Sequence, residues 1–416
     1  MRVLVIGGGG REHAIVRALA ADPAVSALHA APGNPGMADL AELHAVAPED
    51  DQDVIRLARR VSADLVVIGP EAPLVAGVAD ALREAQIAVF GPEAAAARIE
   101  GSKAFAKEVM TAAGIPTATA RVCATPAEAA AALDAFGPPY VVKDDALAAG
   151  KGVVVTGDRA HALAHAGACG RVVIEEYLDG PEVSLFAVAD GRTAVPLLAA
   201  QDFKRARDGD RGPNTGGMGA YVPLPWAPPG LADEVLETVI RPAIAEMARR
   251  GTPYRGLLYA GLALTAKGVK VVEFNARFGD PEAQVVLDRL ATPLAGLLHA
   301  SAAGDLGFAP GLSWRPGAAV TVVIAAGGYP EAPARGDVIT VADPVLPDGT
   351  GGYLLHAGTA RRGADLVTAG GRVLNAVGTG PDLAAARAAA YAVAGCAAFP
   401  GSWYRHDIAE RAASGS

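Results

Sequence analysis

The sequence predicts a multidomain protein of mixed α/β and α+β class: an N-terminal parallel βαβ domain, a central domain and a small C-terminal α+β domain. Its 416 residues are enough for two to four domains. Strand and helix patterns alternate through residues 1–100, which is typical of a parallel sheet. Short strands with Gly and Asp turns follow a break near residue 326. We therefore place the domains at residues 1–100, 101–325 and 326–416.

Composition excludes several classes of protein. Hydrophobic residues make up 51% of the chain, but no apolar run is long enough to span a bilayer, and we see no secretory signal before the first strand. Cys123, Cys169 and Cys396 lie far apart, which excludes a CxxC metal site and favours a reducing, cytoplasmic location. The net charge of −9 argues against general nucleic-acid binding, so an anionic ligand needs a local basic cluster.

A glycine-rich loop follows the first predicted strand, at residues 7–10, and leads into an Ala-rich helix that ends near Ala21. Such a loop at a helix N-terminus is a good phosphate site. It is similar to the dinucleotide fingerprint, but Glu12 stands where the last Gly or Ala belongs, and residues 31–36 offer no acid for a ribose diol. An oxidoreductase is thus a distant alternative, and a sugar phosphate is as good a candidate ligand as a dinucleotide.

Two further helices have clear predicted caps. Ser102 precedes a helix that begins at Lys103, and Thr125 precedes an Ala-rich helix that ends near Phe136. Lys103 does not belong to a Walker A motif, because the required glycines do not precede it. His161 and His165 lie four apart on the next predicted helix, and we interpret them as a solvated face rather than a metal site.

Residues 141–155 predict a hairpin, with two apolar runs around a connection of small residues. Lys143 and Lys151 flank this connection. A loop of Gly and Ala approaches a ligand without steric clash, and lysine supplies compact positive charge, so the hairpin suits a polyphosphate. A surface hairpin with solvated lysines is the alternative. Farther along, residues 201–221 are polar and glycine-rich, and they predict a long functional loop or a disordered insertion.

The stretch 271–277 predicts a strand with two different faces. The apolar face, which we assign to the core, consists of Val272, Phe274 and Ala276, and the polar face consists of Glu273, Asn275 and Arg277. A carboxylate and an amide oxygen suit Mg²⁺, and a guanidinium beside them suits an anionic oxygen. An edge strand with a solvated polar face is the alternative.

In this order, the motifs resemble those of the ATP-grasp ligases, and closely those of the glycinamide ribonucleotide synthetase family. The resemblance covers nearly the whole chain, at residues 7–14, 69–75, 101–105, 143–153, 212–221, 258–262 and 273–282. It implies a central ATP-grasp domain with a lid at about residues 119–188. It also implies that ATP phosphorylates glycine to glycyl phosphate and that 5-phosphoribosylamine then attacks the acyl carbon, an early step of purine synthesis.

The resemblance implies Mg²⁺ or Mn²⁺ as the metal, small molecules as the only partners, and no nucleic-acid or membrane partner; a monomer is our working expectation. Two alternatives stay open: another ATP-grasp carboxylate–amine ligase, and a nucleotide-binding protein without activity. Loop 148–152 would close over the phosphates. The ATP-binding residues would be Lys103, Lys143, Lys151, Gly152, Glu175, Glu176, Leu178 and Glu182. Among these, Glu176 and Leu178 would meet adenine through backbone groups, and Glu182 would meet the ribose.

The remaining site residues also follow from the resemblance. Glu273 and Asn275 would hold the metal. The catalytic residues would be Arg277, Lys143 and Asp202. The substrate-binding residues would be Gly9, Gly10, Asn34, Glu71, Asn214, Thr215, Gly217, Met218, Arg277 and Asp280.

Four residues depart from the family pattern. The family has Lys-Ala-Asp-Gly where this chain has residues 143–146, with Asp144 and Ala146 as the differences. It has His where this chain has Phe203, and Cys where this chain has Ala276. We expect Asp144 and Ala276 to be tolerated. Ala146 is the riskier change, because a positive φ there would strain it.

Overall fold

The structure, a computed structural model, describes residues 1–146, 152–309 and 311–415. Its N-terminal part is a five-stranded parallel sheet, as the alternating pattern predicts. In spatial order the strands are Glu42–Leu43, Ala27–Pro32, Arg2–Gly7, Leu65–Ile68 and Val89–Phe90. The associated helices are Gly10–Ala20, Asp51–Arg60, Glu71–Val75, Val78–Glu84 and Ala94–Gly101, with a 3₁₀ turn at Pro35–Met37.

The strand order of this sheet fixes where a ligand can bind. From the central strand Arg2–Gly7, the chain first adds two strands on one side of the sheet. It then adds Leu65–Ile68 on the other side of Arg2–Gly7. The loops that follow these two strands therefore lie next to each other, at the carboxyl edge of the sheet. This crevice contains the glycine loop and the start of helix Glu71–Val75.

The lid is an antiparallel four-stranded sheet with two helices on it. Its strands, in spatial order, are Ala120–Cys123, Val172–Glu175, Tyr140–Asp144 and Val153–Thr156, and its helices are Pro126–Phe136 and Arg159–Ala168. A small core of its own lies between sheet and helices and includes Leu133, Val142 and Ile174. The predicted hairpin is confirmed by the pairing of Lys143 with Val153. Residues 147–151 lie outside the described part of the chain.

The central sheet is antiparallel, with the strand order Ala194–Pro196, Glu182–Asp190, Arg255–Thr265 and Gly268–Asn275. The helical segments packed around it are Lys103–Ala112, Leu231–Val235, Leu236–Ile240, Arg241–Arg249, Glu282–Arg289, Leu294–Ala303 and Leu306–Phe308. Ser102 caps the first of these helices, because its hydroxyl accepts from the Phe105 N–H at 3.1 Å. The Ser102 and Thr125 caps are both confirmed.

The C-terminal sheet draws strands from two distant parts of the chain. In spatial order they are Gln201–Asp202, Gly219–Val222, Ala318–Ala325, Arg372–Gly380 and Gly351–His356. Helix Leu383–Ala394 packs on this sheet. Three short hairpins or pairs and a final helix complete the chain: Arg205–Arg207 with Arg211–Asn214, Thr340–Val341 with Ala397–Ala398, Thr359–Arg362 with Asp365–Thr368, and Glu410–Ser414. Within the described residues no helix is long and apolar enough to cross a membrane.

Two sequence predictions are wrong. Residues 201–221 are not one long loop, because they form short strands that pair within the segment and with the C-terminal sheet. Val272 is not a core residue: a bulge pairs Gly261 with Glu273 and Leu262 with Val271, so that Val272 has no opposite partner and is only half-buried. Phe274 and Ala276 are each 2% exposed and belong to the core, as predicted.

Candidate active site

Lys143 lies at the foot of the lid and is buried in an ion-pair cluster. Its Nζ is 2.9 Å from Glu175 Oε2 and donates to the Val272 carbonyl at 2.8 Å. Lys107, which the sequence analysis missed, is 3.0 Å from the other oxygen of Glu175. Burial lowers the pKa of Lys107, and the nearby Glu175 carboxylate only partly opposes this effect. One carboxylate thus holds two ammonium groups where the lid joins the central sheet.

Glu273 and Asn275 form the polar face of the last central strand, as predicted. The Asn275 amide nitrogen donates to Glu273 Oε1 at 3.4 Å, which leaves the amide oxygen without a hydrogen-bond partner among the described residues. Burial opposes ionisation of Glu273, but Lys204, Lys143 and Lys103 together hold the pKa of its carboxyl below the usual value. Glu273 is therefore ionised at neutral pH.

Lys204 is surrounded by carboxylates. Its Nζ lies 3.1 Å from Glu182 Oε2 and 3.9 Å from Glu273 Oε1. Although burial disfavours its charge, Glu182 and Asp202 raise the pKa of Lys204 well above its ordinary value. Burial raises the pKa of Asp202 to about 8, and Glu282, Glu182 and Glu273 add to the rise against the effect of Lys204. The carboxylates of Glu182 and Glu273 around Lys204 supply the oxygen donors that a hard cation such as Mg²⁺ prefers.

Arg277 continues the polar face beyond the strand and is held by two acids. Its Nη2 lies 2.8 Å from Glu100 Oε1, and its Nε donates to Glu71 Oε2 at 3.3 Å. Glu100, in turn, accepts from the Ala276 N–H at 2.6 Å. Burial opposes the charge on Arg277, but Glu100 and Glu71 raise its pKa above the usual value. The guanidinium is thus fixed in place beside the predicted metal ligands.

Glu12, the residue that departs from the dinucleotide fingerprint, makes hydrogen bonds to the glycine loop. Glu12 accepts from the Gly9 N–H at 2.6 Å and from Arg11 Nε at 2.6 Å. A Cβ on Gly69, in the adjacent loop, would lie 2.2 Å from Glu12 Oε1. Asn34 donates to the carbonyls of Gly8 and His356, each at 2.9 Å. The Asn34 side chain therefore fixes this loop, and its amide hydrogens are used within the protein.

The C-terminal sheet contributes groups to the same crevice. Arg372 Nη2 lies 3.2 Å from Asp280 Oδ2, and Gln284 donates to the other oxygen of Asp280 at 2.8 Å. Burial disfavours ionisation of Asp280, but Arg372 and Arg11 lower its pKa. Asn375 is 1% exposed, and neither polar atom of its side chain has a hydrogen-bond partner in the part of the chain that the structure describes. A Cβ at residue 10 would lie only 2.4 Å from Asn375 Nδ2. Glycine at this position therefore leaves room beside the Asn375 amide.

Residues 214–218 connect the lid with the C-terminal sheet. Asn214 Nδ2 lies 3.5 Å from the Val153 carbonyl in the lid. Thr215 donates to the Lys204 carbonyl at 2.9 Å and accepts from the Gly217 N–H at 3.0 Å. Gly217 has φ +113° and packs against Pro281, which requires glycine. Met218 is fully buried against the C-terminal strand Ala318–Ala325, so its side chain belongs to the core.

The predicted nucleotide residues lie around the joint between lid and central sheet. Lys103 Nζ donates to the Ala146 carbonyl at 3.3 Å, while Glu176 is half-buried and accepts from Lys270 Nζ at 3.0 Å. Leu178 is also half-buried, and Gly152 is buried beside strand Val153–Thr156. Lys151 lies outside the described residues.

Several residues of the candidate site escaped the sequence analysis: Glu100, Lys107, Lys204, Glu282, Gln284, Arg372 and Asn375. Lys107 and Glu100 lie in helices whose pattern reads as ordinary amphipathic structure, so they give no separate signal. Glu282 stood inside a quoted motif, at residues 273–282, and Lys204 stood in the polar segment 201–221.

Comparison with known proteins gives consistent results along the chain. Three domain models of phosphoribosylglycinamide synthetase match: the N domain at residues 1–100, the ATP-grasp domain at 101–283 and the C domain at 319–411. The phosphoribosylamine–glycine ligase of Streptomyces coelicolor is 63% identical over 414 residues, covering 99% of this chain and 100% of that protein. The ligase of the same name from Mycobacterium tuberculosis is 57% identical over 426 residues, covering 100% and 99%.

Solved structures agree with these sequence matches. The crystal structure of phosphoribosylamine–glycine ligase from Thermotoga maritima has a TM-score of 0.84 and 37% identity, and it covers 98% of this chain and 100% of that one. The biotin carboxylase domain of the Hydrogenobacter thermophilus 2-oxoglutarate carboxylase has a TM-score of 0.72 at 19% identity, covering 97% and 91%. The second likeness concerns the fold alone.

Proposed function

Because the chain belongs to the phosphoribosylglycinamide synthetase family, it is an ATP-dependent ligase, and we propose that it joins glycine to 5-phosphoribosylamine through glycyl phosphate. The products are glycinamide ribonucleotide, ADP and phosphate, in de novo purine synthesis. The observation that carries this proposal is the ionised Glu273 beside Asn275, set among Lys103, Lys143 and Lys204. This arrangement suits a nucleoside triphosphate that binds as a metal complex.

The two halves of the reaction need different surroundings. In the first, a carboxylate oxygen of glycine attacks the γ-phosphorus of ATP, and ADP leaves. In the second, the amine of phosphoribosylamine attacks the acyl carbon, phosphate leaves and the nitrogen loses a proton. We assign the first half to the Glu273 region and the second to the crevice between the glycine loop and Asp280. Arg277 lies between them and would steady the acyl phosphate.

The residues of the Glu273 region fit a divalent metal, because Glu182 and Glu273, which both lie near Lys204 Nζ, supply carboxylate oxygens beside the Asn275 amide. Glu273 and Asn275 would hold the ion, and we propose Mg²⁺, with Mn²⁺ as a substitute. A bound metal would supply charge neutralisation to the β- and γ-phosphates. Lys103 and Lys143 would orient these phosphates, and Asp202 stays our proposed third catalytic residue.

The substrate crevice is proposed from groups that the fold leaves available. The Asn375 side chain and the Gln284 carbonyl oxygen are both buried without a hydrogen-bond partner among the described residues, and Asn375 Nδ2 faces the space beside Gly10. An unpaired buried polar atom is costly, so hydroxyl groups of the ribose are suitable partners. The proposed substrate residues also include Gly9, Glu71, Asn214, Thr215, Gly217 and Asp280. Asn34 and Met218 would instead position the neighbouring loops. The domain boundaries and a cytoplasmic location are likewise proposals.

A coupled assay tests the function. The protein is incubated with ATP, Mg²⁺, glycine and freshly prepared phosphoribosylamine, and ADP and phosphate are measured together with the amide product. We expect one ADP for each product, and none when glycine or the amine is omitted. Turnover with a different acid or amine, but not with this pair, would identify another ligase; ATP binding without any turnover would contradict an enzyme.

Glu273→Ala tests the metal assignment separately. We expect product formation to fall by more than about 100-fold, since the metal and its phosphates lose an anchoring carboxylate. Circular dichroism and the unfolding midpoint should stay close to those of the wild type. Exposed Glu108→Ala is the matched control and should keep full activity. Full activity in Glu273→Ala would refute the metal assignment while leaving the reaction itself untouched.

A further inference from the structure

Two histidines and a glutamate meet at the outer edge of the N-terminal sheet. His29 lies within strand Ala27–Pro32, and Glu42 is paired directly opposite it in strand Glu42–Leu43. His44 follows, and its backbone N–H donates to the Ala30 carbonyl at 2.9 Å. The side chains converge: His29 Nδ1 lies 3.0 Å from His44 Nε2 and 3.5 Å from Glu42 Oε2, and His44 Nε2 lies 3.7 Å from Glu42 Oε1.

These separations match the edges of a metal coordination shell. Zinc–nitrogen and zinc–oxygen bonds of roughly 2.0–2.1 Å at tetrahedral angles place neighbouring ligand atoms roughly 3.3–3.4 Å apart. The three measured distances, from 3.0 to 3.7 Å, bracket that value. Within residues 1–146, 152–309 and 311–415, this is the only group of three His, Cys, Asp or Glu side chains whose ligand atoms all lie within 4.8 Å of one another.

We propose that His29, Glu42 and His44 bind one Zn²⁺ ion, at a site separate from the active site. Imidazole and carboxylate together suit zinc rather than magnesium, which prefers oxygen ligands only. The two imidazoles, whose side chains are each 11% exposed, are fixed by the sheet, while the Glu42 side chain is 67% exposed and adjusts to the ion. Three protein ligands leave a fourth position for water or an anion.

The location of the site indicates what it does. The three ligands line a cavity of about 490 Å³ together with Arg2, Ala27, Arg60 and Val61. Arg2 and Ala27 begin their strands, so this cavity faces the amino edge of the sheet, opposite the glycine loop. The two guanidinium groups favour an anion as the fourth ligand. A bound ion would clip the two-residue strand Glu42–Leu43 to its neighbour and so stabilise the edge of the sheet.

Titration with Zn²⁺ and Co²⁺ tests the proposal. Full-length protein is treated with chelator, desalted and titrated by calorimetry in excess Mg²⁺, which occupies the Glu273 region without competing for imidazole. We expect one equivalent of Zn²⁺, a Co²⁺ absorption spectrum of four-coordinate type, and a rise in the unfolding temperature with Zn²⁺. Since outer-shell changes alone cost ~10–100-fold, His44→Ala should weaken Zn²⁺ binding by more than about 100-fold.

Two controls make the result decisive. His161→Ala removes an exposed histidine outside the site and should bind Zn²⁺ like the wild type. Glu42→Gln changes an exposed side chain, which keeps the test open if His44→Ala does not fold, and it should also weaken binding. No binding by the wild type, or equal binding by wild type, His44→Ala and Glu42→Gln, would overturn the site; so would equal losses in His161→Ala and His44→Ala.

Discussion

At the scale of single residues, Glu175 is the residue on which the lid joint depends. Its two oxygens hold Lys107 at 3.0 Å and Lys143 at 2.9 Å, and the side chains of all three are at most 10% exposed. Replacing it by Gln would leave two buried ammonium groups close together without a counter-charge. We expect Glu175→Gln to lower the free energy of unfolding by about 3 kcal/mol, measured by urea denaturation.

The control for this change is Glu108→Gln, because Glu108 is 67% exposed and its pair with Arg250 is long, at 3.8 Å. Exposed pairs of this kind contribute little, so its effect should stay below about 1 kcal/mol. A Glu175→Gln protein as stable as the wild type would show that the two lysines do not need this carboxylate.

Ala146 is the departure that the structure leaves untested. It is exposed, and its carbonyl accepts from Lys103 Nζ at 3.3 Å. We predict that Ala146→Gly leaves the rate of product formation equal or higher, since glycine keeps this carbonyl and adds conformational freedom to the backbone at this position. Steady-state rates with varied ATP check it. A clear loss of rate would mean that alanine suits this turn better than glycine.

Phe203 explains how the chain accommodates another departure. Its ring packs 6.2 Å from that of Tyr221, and the Arg405 guanidinium carbon lies 4.9 Å from its centre. The Phe203 ring thus packs against a residue from the C-terminal part of the chain. Sequence alone could not identify Arg405, about 200 residues away, as its partner. Residues inside short motifs, such as Lys143 and Glu273, could be singled out from the sequence, whereas Lys107, Lys204 and Asn375 enter the candidate site only through the way elements pack together.

At the scale of elements, Asp145 joins the lid hairpin to the helix that carries Lys103. One carboxylate oxygen accepts from Ser102 Oγ at 3.0 Å and the Ala104 N–H at 2.9 Å, and the other accepts from Arg171 Nε at 2.6 Å. Asp145 comes directly after strand Tyr140–Asp144 and stabilises the N-terminus of helix Lys103–Ala112.

This contact predicts a difference between two neighbouring acids. Asp145→Asn should lower the free energy of unfolding by about 2 kcal/mol, because hydrogen bonds to a charged acceptor are lost at a buried position. Asp144→Asn, the matched control, should change stability by less than about 0.5 kcal/mol. Urea unfolding of both variants checks the pair. Equal effects of the two substitutions would contradict the role of Asp145 as a cap.

Elements themselves followed well from the sequence wherever a pattern was local. The two helix caps, the hairpin and the parallel N-terminal strands were predicted from neighbouring residues. The short strands of residues 201–222 were not predicted, since Gly219–Val222 pairs with the distant strand Ala318–Ala325, Gln201–Asp202 pairs in turn with Gly219–Val222, and the remaining two strands form a hairpin rich in Arg and Gly. The bulge at Val272 likewise reflects the partner strand rather than the sequence around it.

At the scale of the whole molecule, a histidine pair joins the first helix to the C-terminal sheet. The His356 N–H donates to His13 Nδ1 at 2.8 Å. Burial, with the nearby His356, lowers the pKa of His13 to about 3, and burial, with Arg361, lowers the pKa of His356 to about 4. Both residues are neutral in the folded protein until the pH falls far below the usual value of roughly 6.5.

The sign of the pH effect follows from proton binding. Between about pH 6.5 and 4 the unfolded chain binds protons that the folded protein does not, so stability is lost as the pH falls. Each histidine contributes a slope of at most about 1.4 kcal/mol per pH unit. His13→Asn keeps an acceptor near the Nδ1 position and should make the slope shallower. Unfolding free energies measured from pH 7 to 4.5 check this, with His161→Asn as the control.

An unchanged slope in His13→Asn would show that other groups cause any acid sensitivity.

The three-domain organisation itself could be predicted from the order of motifs along the chain. What joins the domains could not, because contacts such as His13 with His356 and Asp280 with Arg372 link residues that no local pattern connects.

The C-terminal sheet also constrains how the chain is made. Strand Gly219–Val222 pairs with Ala318–Ala325, whose other neighbour is Arg372–Gly380. During synthesis the N-terminal part of the chain leaves the ribosome first. Strand Gly219–Val222 therefore has one edge without hydrogen-bond partners until the later strands have emerged. The N-terminal sheet has all its strands within the first 90 residues and has no such delay. A nascent chain should therefore need protection of the segment 201–222 from wrong partners during synthesis, and a version cut after residue 325 should aggregate rather than persist as a two-domain enzyme.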